Sequence, residues 1–410
     1  MPKIKPFRAV LPIPLLVNEV VVDLENLTIE NAKLIRNSNK NSFVHLLIPK
    51  LENYYLQGSK QELTFKKIAE NFEDFIGKEI LIRDKIPSIY VYRQEKNGHS
   101  YIGIWTVSSI DDYLNNKIKK HELTRPEREK GLIEYLQQTG IDANPVLITY
   151  PGNTAIDQLI LDITFNHPAS DFHLNDERHQ VWKVVDENQL DILVAHFVVM
   201  KSSYIADGHH RAAAASTFGI ERRKLNLKHH GEEEYNFFSS VYINSNQLAI
   251  LPFHRFLKLS EEINIESVLH FLRLEFDLTE IQKEDLIPEI AHQFGLYIAG
   301  KSYMISIHKQ LNNNVLNDLD VSLLQDYILE PLFNIINPRE DKRLHFIGGK
   351  IDLAAHVKMI DDGIFDLAFF LFPTSISDLM KIADIGESMP PKSTWFEPKF
   401  PAGLIIHEID

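Results

Sequence analysis

Apolar positions along the chain recur with two periods. In residues 1–100, the strand-like runs "EVVVDL", "FVHLLIP" and "SIYVYRQ" surround one stretch, "QELTFKKIAENFEDFIGKEIL", in which Leu63, Ile68, Phe72 and Phe75 recur near helical spacing. The Asn-Gly pair of "EKNGHS" (95–100), set between "IYVYRQ" and "YIGIWTV", predicts a hairpin. From Ile110 the pattern turns polar and helix-favouring, with Pro126 marking a helix start and Gly140 a stop. "NPVLITY" (144–150) reads as a buried strand. Residues 155–200 then give a helix, a loop rich in His and Asp ("NHPASDFHLNDERH"), a strand "VWKVV" and a helix "ENQLDILVAHFVVM".

Next comes "SSYIADGHHRAAAAST" (202–217), a short β-type run, a glycine and a helix of high propensity. Beyond it, "FFSSVYI" and "QLAILPF" read as strands joined through "NSN", and residues 258–385 alternate between helical and strand-like patterns. The fold class is therefore α+β. Three regions are expected: an N-terminal α+β region over 1–100, a core over 101–225 and a C-terminal α+β region over 226–410.

Composition narrows the function classes. The 43 Lys+Arg against 57 Asp+Glu leave a net charge of -14, which disfavours a broad polyanion surface and so duplex DNA as a partner. The absence of cysteine excludes disulfides, thiolate catalysis and Cys-ligated metal clusters, and fits a cytoplasmic location. Prolines 12 and 14 interrupt the only N-terminal apolar patch, and the longest apolar run, "IFDLAFFLF" (364–372), falls well short of a membrane span.

The turn at 207–211 carries the chemistry. The first N–H groups of a helix lack internal partners and bear the positive end of its dipole, so Gly208, His209 and His210 open a ready anion site. Arg211 adds a forked cation suited to phosphate, and Asp207 suits a magnesium ion or a proton transfer. Taken singly, Asp207 can be a helix cap, Arg211 a surface ion pair and one histidine a core residue. The five together on one strand-to-helix turn favour a functional site.

Two other segments stand out. In "KKHELTRPEREKG", an exposed helix accounts for the lysines and for Glu127, Arg128 and Glu129, but leaves His121 and Glu122 unexplained; a carboxylate near a phosphate site can serve as general base. In "MPPKSTWFEPKFPAG" (389–403), Lys392, Ser393, Thr394 and Lys399 sit among prolines and two aromatics, which predicts an ordered loop. It is either a tail packed on the body or a loop delivering lysines to a phosphate. No G-x-x-x-x-G-K-[ST] or G-x-G-x-x-G motif occurs, and "GGK" (348–350) is too little for a P-loop.

"PFRAV" (6–10), "IKKHELTRPEREK" (118–130), "YIADGHHRAAAA" (204–215) and "MPPKSTWFEPK" (389–399) resemble the signatures of a bacterial and archaeal family catalogued as domain of unknown function 1015. That family in turn resembles the ParB/sulfiredoxin superfamily, where "GHHR" (208–211) takes the place of a phosphate-binding turn and 151–200 reads as an insertion. The resemblance implies a mixed sheet-and-helix core carrying a strand-turn-helix phosphate site. Free-serine kinases of this superfamily carry a DGHHR turn and an earlier His-Glu pair whose glutamate is the proposed base. By resemblance His121 and Glu122 match that pair, and Asp207, His209, His210 and Arg211 match the turn. Sulfiredoxin chemistry needs a cysteine absent here, and no helix-turn-helix follows as in ParB.

The expectation is a nucleotide-dependent phosphotransferase acting on a small-molecule hydroxyl, with serine first among acceptors and ATP or ADP as donor. Glu122, Asp207 and His210 would be catalytic. Gly208, His209, His210, Arg211, His121, Lys392 and Thr394 would hold phosphate, with Mg2+ at Asp207. A non-catalytic nucleotide switch of the ParB type and a phosphoester or nucleotide hydrolase are the alternatives.

Overall fold

The computed structural model describes residues 2–25, 27–47, 59–259, 264–307, 314–348 and 352–409. The chain forms two compact units: residues 1–248 with 398–410, and residues 249–397. These limits differ from the expected divisions near 100 and 225, because the strands on both sides of residue 100 share one sheet with Phe237–Asn244.

The first unit is built on a mixed sheet. Its order runs Ile118–Lys119, Ser203–Asp207, Val146–Tyr150, Phe237–Asn244, His99–Ser109, Ile89–Lys96, Glu177–Val184 and Ser170–Leu174, with Ile4–Lys5 also paired to His99–Ser109. Two pairings are parallel, Ile118–Lys119 with Ser203–Asp207 and Val146–Tyr150 with Phe237–Asn244; the others are antiparallel. The expected hairpin at 95–100 is present, with Asn97 (φ 49°) and Gly98 (φ 78°) both left-handed as a type I′ turn requires.

Alternate residues such as Val91, Ile104, Val146, Ile148 and Ile205 point to one face and join the core with helices Pro126–Thr139, Thr154–Thr164, Glu187–Val199 and His209–Leu225. Pro126 opens its helix and Gly140 closes it with φ 68°, as the sequence predicts. Ala212 to Ala215 are all buried, which lets His209–Leu225 lie close to Pro126–Thr139.

Three local readings are corrected. The first two residues of "EVVVDL" (19–24) end a helical turn, Val17–Val20, and Val22 makes a single bridge to Ala402. In "FVHLLIP", Phe43–Leu46 is a 3-10 turn entered by a cap from the Val44 N–H to Ser42 Oγ (3.3 Å); Ile48 and Pro49 lie outside the described residues. So short an apolar run has no period with which to tell strand from helix. The His- and Asp-rich "loop" is a hairpin, Ser170–Leu174 with Glu177–Val184, turned at Asn175 (φ 55°). The 151–200 segment thus adds two helices and an edge hairpin to the sheet.

In the second unit an antiparallel sheet runs Asp277–Ile281, Lys301–Ser306, Gln293–Ile298, Leu367–Leu371, Phe253–Leu257, Leu344–Gly348. One face packs Phe256, Tyr297, Ala368 and Phe370 against Val357 and Ile360 of the helix Leu353–Asp361. A separate ribbon pairs Ala249–Leu251 with Trp395–Glu397, inside the segment expected to be an ordered loop. Gly349 and Lys350 of "GGK" lie outside the described residues. Among the described residues no helix is long and apolar enough to cross a membrane.

Candidate functional site

Parallel pairing brings His121 and Glu122 to the turn. Ser203 lies opposite Ile118 and Tyr204 opposite Lys119, a constant offset of 85 residues. Continued past the last paired residue, the same offset sets Glu122 level with Asp207. The chain then turns through Gly208, whose φ of 100° is one that residues with a side chain rarely adopt, and starts the helix at His209.

The histidines are buried rather than displayed. The His121 and His209 rings meet edge to face, with centroids 4.4 Å apart. The His121 main-chain N–H points at His209 Nε2 (3.5 Å), which leaves Nδ1 to carry the proton of the neutral ring, 3.9 Å from Glu122 Oε2. Burial first, and the neighbouring His121 second, push the His209 ring well below its ordinary pKa; burial lowers His121 to about 4. Both rings are therefore neutral at physiological pH. His210 is also buried, and its Nδ1 accepts from the Arg125 N–H at 3.4 Å. Glu122 itself keeps 45% of its side-chain exposure.

Asp207 ends the strand between two cations. Its Oδ2 accepts from Arg211 Nη2 (3.0 Å) and lies 3.3 Å from Lys399 Nζ. Burial works to raise this carboxyl's pKa, but Lys399 and then Arg211 hold it well below the usual carboxylate range. The side chain retains 40% of its exposure, so the carboxylate is walled by protein yet still reached by solvent. Arg211 is further fixed by Asn144 Oδ1 (2.7 Å) and the Pro145 carbonyl, while its Nε is buried without an acceptor among the described residues. Its guanidinium lies against Gly208, where a Cβ would come within 3.0 Å of it.

Lys399 is delivered by the C-terminal tail, and no local signal ties it to Asp207. The tail is stitched to this unit at several points. Phe400 packs on Tyr92 and Trp105 (5.7 Å each), Ala402 bridges Val22 and Ile406 bridges Val10. His407–Glu408 pairs with Ile141–Asp142. Over 398–403 the segment is a tail packed on this unit, and its Lys399 meets Asp207.

Lys392 and Thr394 belong to the second unit, where Lys392 (φ 54°) sets its Nζ 5.0 Å over the Phe253 ring and Thr394 is half-buried. The Mg2+ expected at Asp207 does not fit the donor set, since the carboxylate oxygen already faces two cations. Among the described residues no group of three or more acidic, His or Cys side chains could hold a metal ion.

A family model described as "Protein of unknown function (DUF1015)" matches residues 4–322. The chain belongs to this family. A search of the curated proteins finds no match for this DUF1015 member. Among solved structures, it is similar to a mutant free serine kinase in complex with AMP, at 16% identity and TM-score 0.36, over 71% of this chain and 86% of that one. A mutant free serine kinase in complex with ADP gives 17% identity and TM-score 0.36, over 71% and 87%. A conserved hypothetical protein from Pyrococcus furiosus gives 18% identity and TM-score 0.36, over 73% and 93%. Likeness at this level assigns no activity.

Proposed function

We propose that the Gly208 turn is the centre of a phosphotransferase that moves a phosphoryl group from a nucleotide to the hydroxyl of a small molecule, with free serine first among acceptors. The observation that carries this reading is the placing of Glu122, a solvent-reached carboxylate, beside a helix N-terminus flanked by Lys399 and Arg211. The helix N–H groups and the two cations hold and neutralise the transferred group. Glu122 takes the proton as the acceptor oxygen forms its bond to phosphorus and the bond to the nucleotide's leaving oxygen breaks. The neutral His209, with Nδ1–H toward Glu122, orients that carboxylate without discharging it. Asp207 fixes Arg211 and Lys399 in position.

The test is incubation of the purified protein with ATP or ADP as magnesium salts and a pool of hydroxyl compounds, with phosphorylated products read by mass spectrometry. The reading expects phosphoserine or another phosphomonoester, and Glu122→Gln should lower its rate by about 10²–10⁴-fold with nucleotide affinity retained. Unmodified acceptors with no nucleotide consumed would overturn it. Binding of nucleotide without turnover would leave the module of the ParB type, and turnover onto water alone the hydrolase.

A further inference from the structure

We propose that the second unit carries its own anion site, in which Arg255 and Lys392 hold the phosphate group of a small molecule beside Phe253. This site shares no residue with the Gly208 turn and stands or falls independently of the function proposed there.

Arg255 is a buried cation with no counter-charge among the described residues. Arg255 sits in the interior strand Phe253–Leu257, paired to Phe346 on one side and Phe369 on the other, and is only 3% exposed. Nη1 donates to the Phe253 carbonyl (2.8 Å), and the guanidinium lies 4.6 Å from the Phe346 ring centroid. Among the described residues it pairs with no carboxylate, so one hydrogen bond serves a group with five N–H donors. Burial pulls its pKa down to about 9, which still leaves it charged at neutral pH. An enclosed, unpaired guanidinium is strongly unfavourable unless something supplies the missing charge and acceptors.

A second cation reaches the same phenylalanine. Residues two apart on a strand share a face, so the Phe253 ring projects on Arg255's side of the sheet. Lys392 Nζ stands 5.0 Å over that ring and makes no ion pair among the described residues. Trp395 closes another side, 5.3 Å from the Phe253 ring and against Gly348, where a Cβ would meet the indole at 2.4 Å. Two unpaired cations around an aromatic wall suit a compact dianion, and a phosphate monoester is the common metabolite group of that charge.

Inorganic phosphate is the probe, titrated into the full chain by calorimetry and followed by thermal shift. In the Arg211→Met background, which disables the first site, phosphate should still bind and raise Tm. Adding Arg255→Met should weaken that binding at least about tenfold, and Lys392→Met should weaken it less. Without phosphate, the Tm of Arg255→Met should match or exceed the parent's, since methionine removes the unpaired charge and keeps the volume. Should the Arg211 variant fold poorly, parent and Arg255→Met are compared directly, and one phosphate site of two should be lost. Equal phosphate binding with and without Arg255, no binding in the Arg211 background, or a lower phosphate-free Tm for Arg255→Met would each overturn the proposal.

Discussion

Arg211 and Arg255 are both nearly enclosed, and the two units treat them oppositely. Arg211 is tied on several sides by the protein: Asp207 supplies the counter-charge, and Asn144 and the Pro145 carbonyl supply acceptors. Arg255 has one carbonyl and an aromatic face. A buried charge completed within the chain is a fixed part of the scaffold, and whatever binds beside it meets a preorganised field. One left incomplete is a cost that folding alone does not offset. The first unit therefore holds its charges in pairs, with Lys399 brought to Asp207 by the tail, and the second holds cations that the proposed anion would complete.

Stability should separate the two arginines most clearly. Arg211→Met leaves Asp207 facing Lys399 alone and strips donors from Asn144 and Pro145, so it should cost about 3 kcal/mol in urea denaturation. Solvent reaching the half-exposed Asp207 keeps that cost from being larger. Arg255→Met should cost nothing or stabilise. Equal losses in the two variants would erase the distinction.

Acid should distinguish the units next, through their buried histidine pairs. His121 lies against His209 in the first unit, and His254 lies 5.2 Å from His356 in the second. Burial holds His121 at about 4 and His254 at about 3, against an ordinary value near 6.5. A histidine with a depressed folded pKa binds its proton in the unfolded chain first, so its contribution is whole above about pH 6.5 and is lost as pH falls toward the folded pKa. For His121 that loss is roughly 3 kcal/mol, complete near pH 4, whereas for His254 it continues to about pH 3. Replacing His121 by Asn should flatten the stability profile between pH 6.5 and 4; replacing His254 should flatten it further down. A profile unchanged by either variant would show that these rings are not held neutral.

The same contrasts mark what the sequence alone makes legible. Pro126, Gly140 and the Asn97-Gly98 pair act through their own backbone chemistry, and each is where the sequence predicts. The turn at 208 was legible for the same reason. The hairpin tip at Asn175 carried a comparable signal, a left-handed Asn followed by Asp, but lay hidden among polar residues that also suit a loop. His121 and Glu122 reached the turn only by resemblance, because a parallel register joins residues 85 apart and leaves no local trace. Lys399 is visible in sequence as a lysine, yet it is set beside Asp207 by a tail paired to Val10, Val22 and Ile141–Asp142, which no window of sequence contains. Arg255 gave no signal at all, since a strand arginine is unusual only when its surroundings lack an acid.

The smallest effect examines how firmly Arg211 is held. Gly208 and Gly98 both have positive φ, 100° and 78°, so alanine at either position pays the backbone penalty of about 1 kcal/mol. Their surroundings differ. A Cβ at Gly98 meets nothing within 4 Å, whereas one at Gly208 comes within 3.0 Å of the Arg211 guanidinium. A long side chain could swing away at little cost, but this one is anchored by Asp207, Asn144 and Pro145. Gly208→Ala should therefore cost roughly 1 kcal/mol more than Gly98→Ala. In an Arg211→Met background the two alanine substitutions should cost the same, a double-mutant coupling readable by chemical denaturation. If Gly208→Ala is no worse than Gly98→Ala in the parent, the guanidinium is free to move, and the turn is not the preorganised cradle that the first unit's charge balance describes.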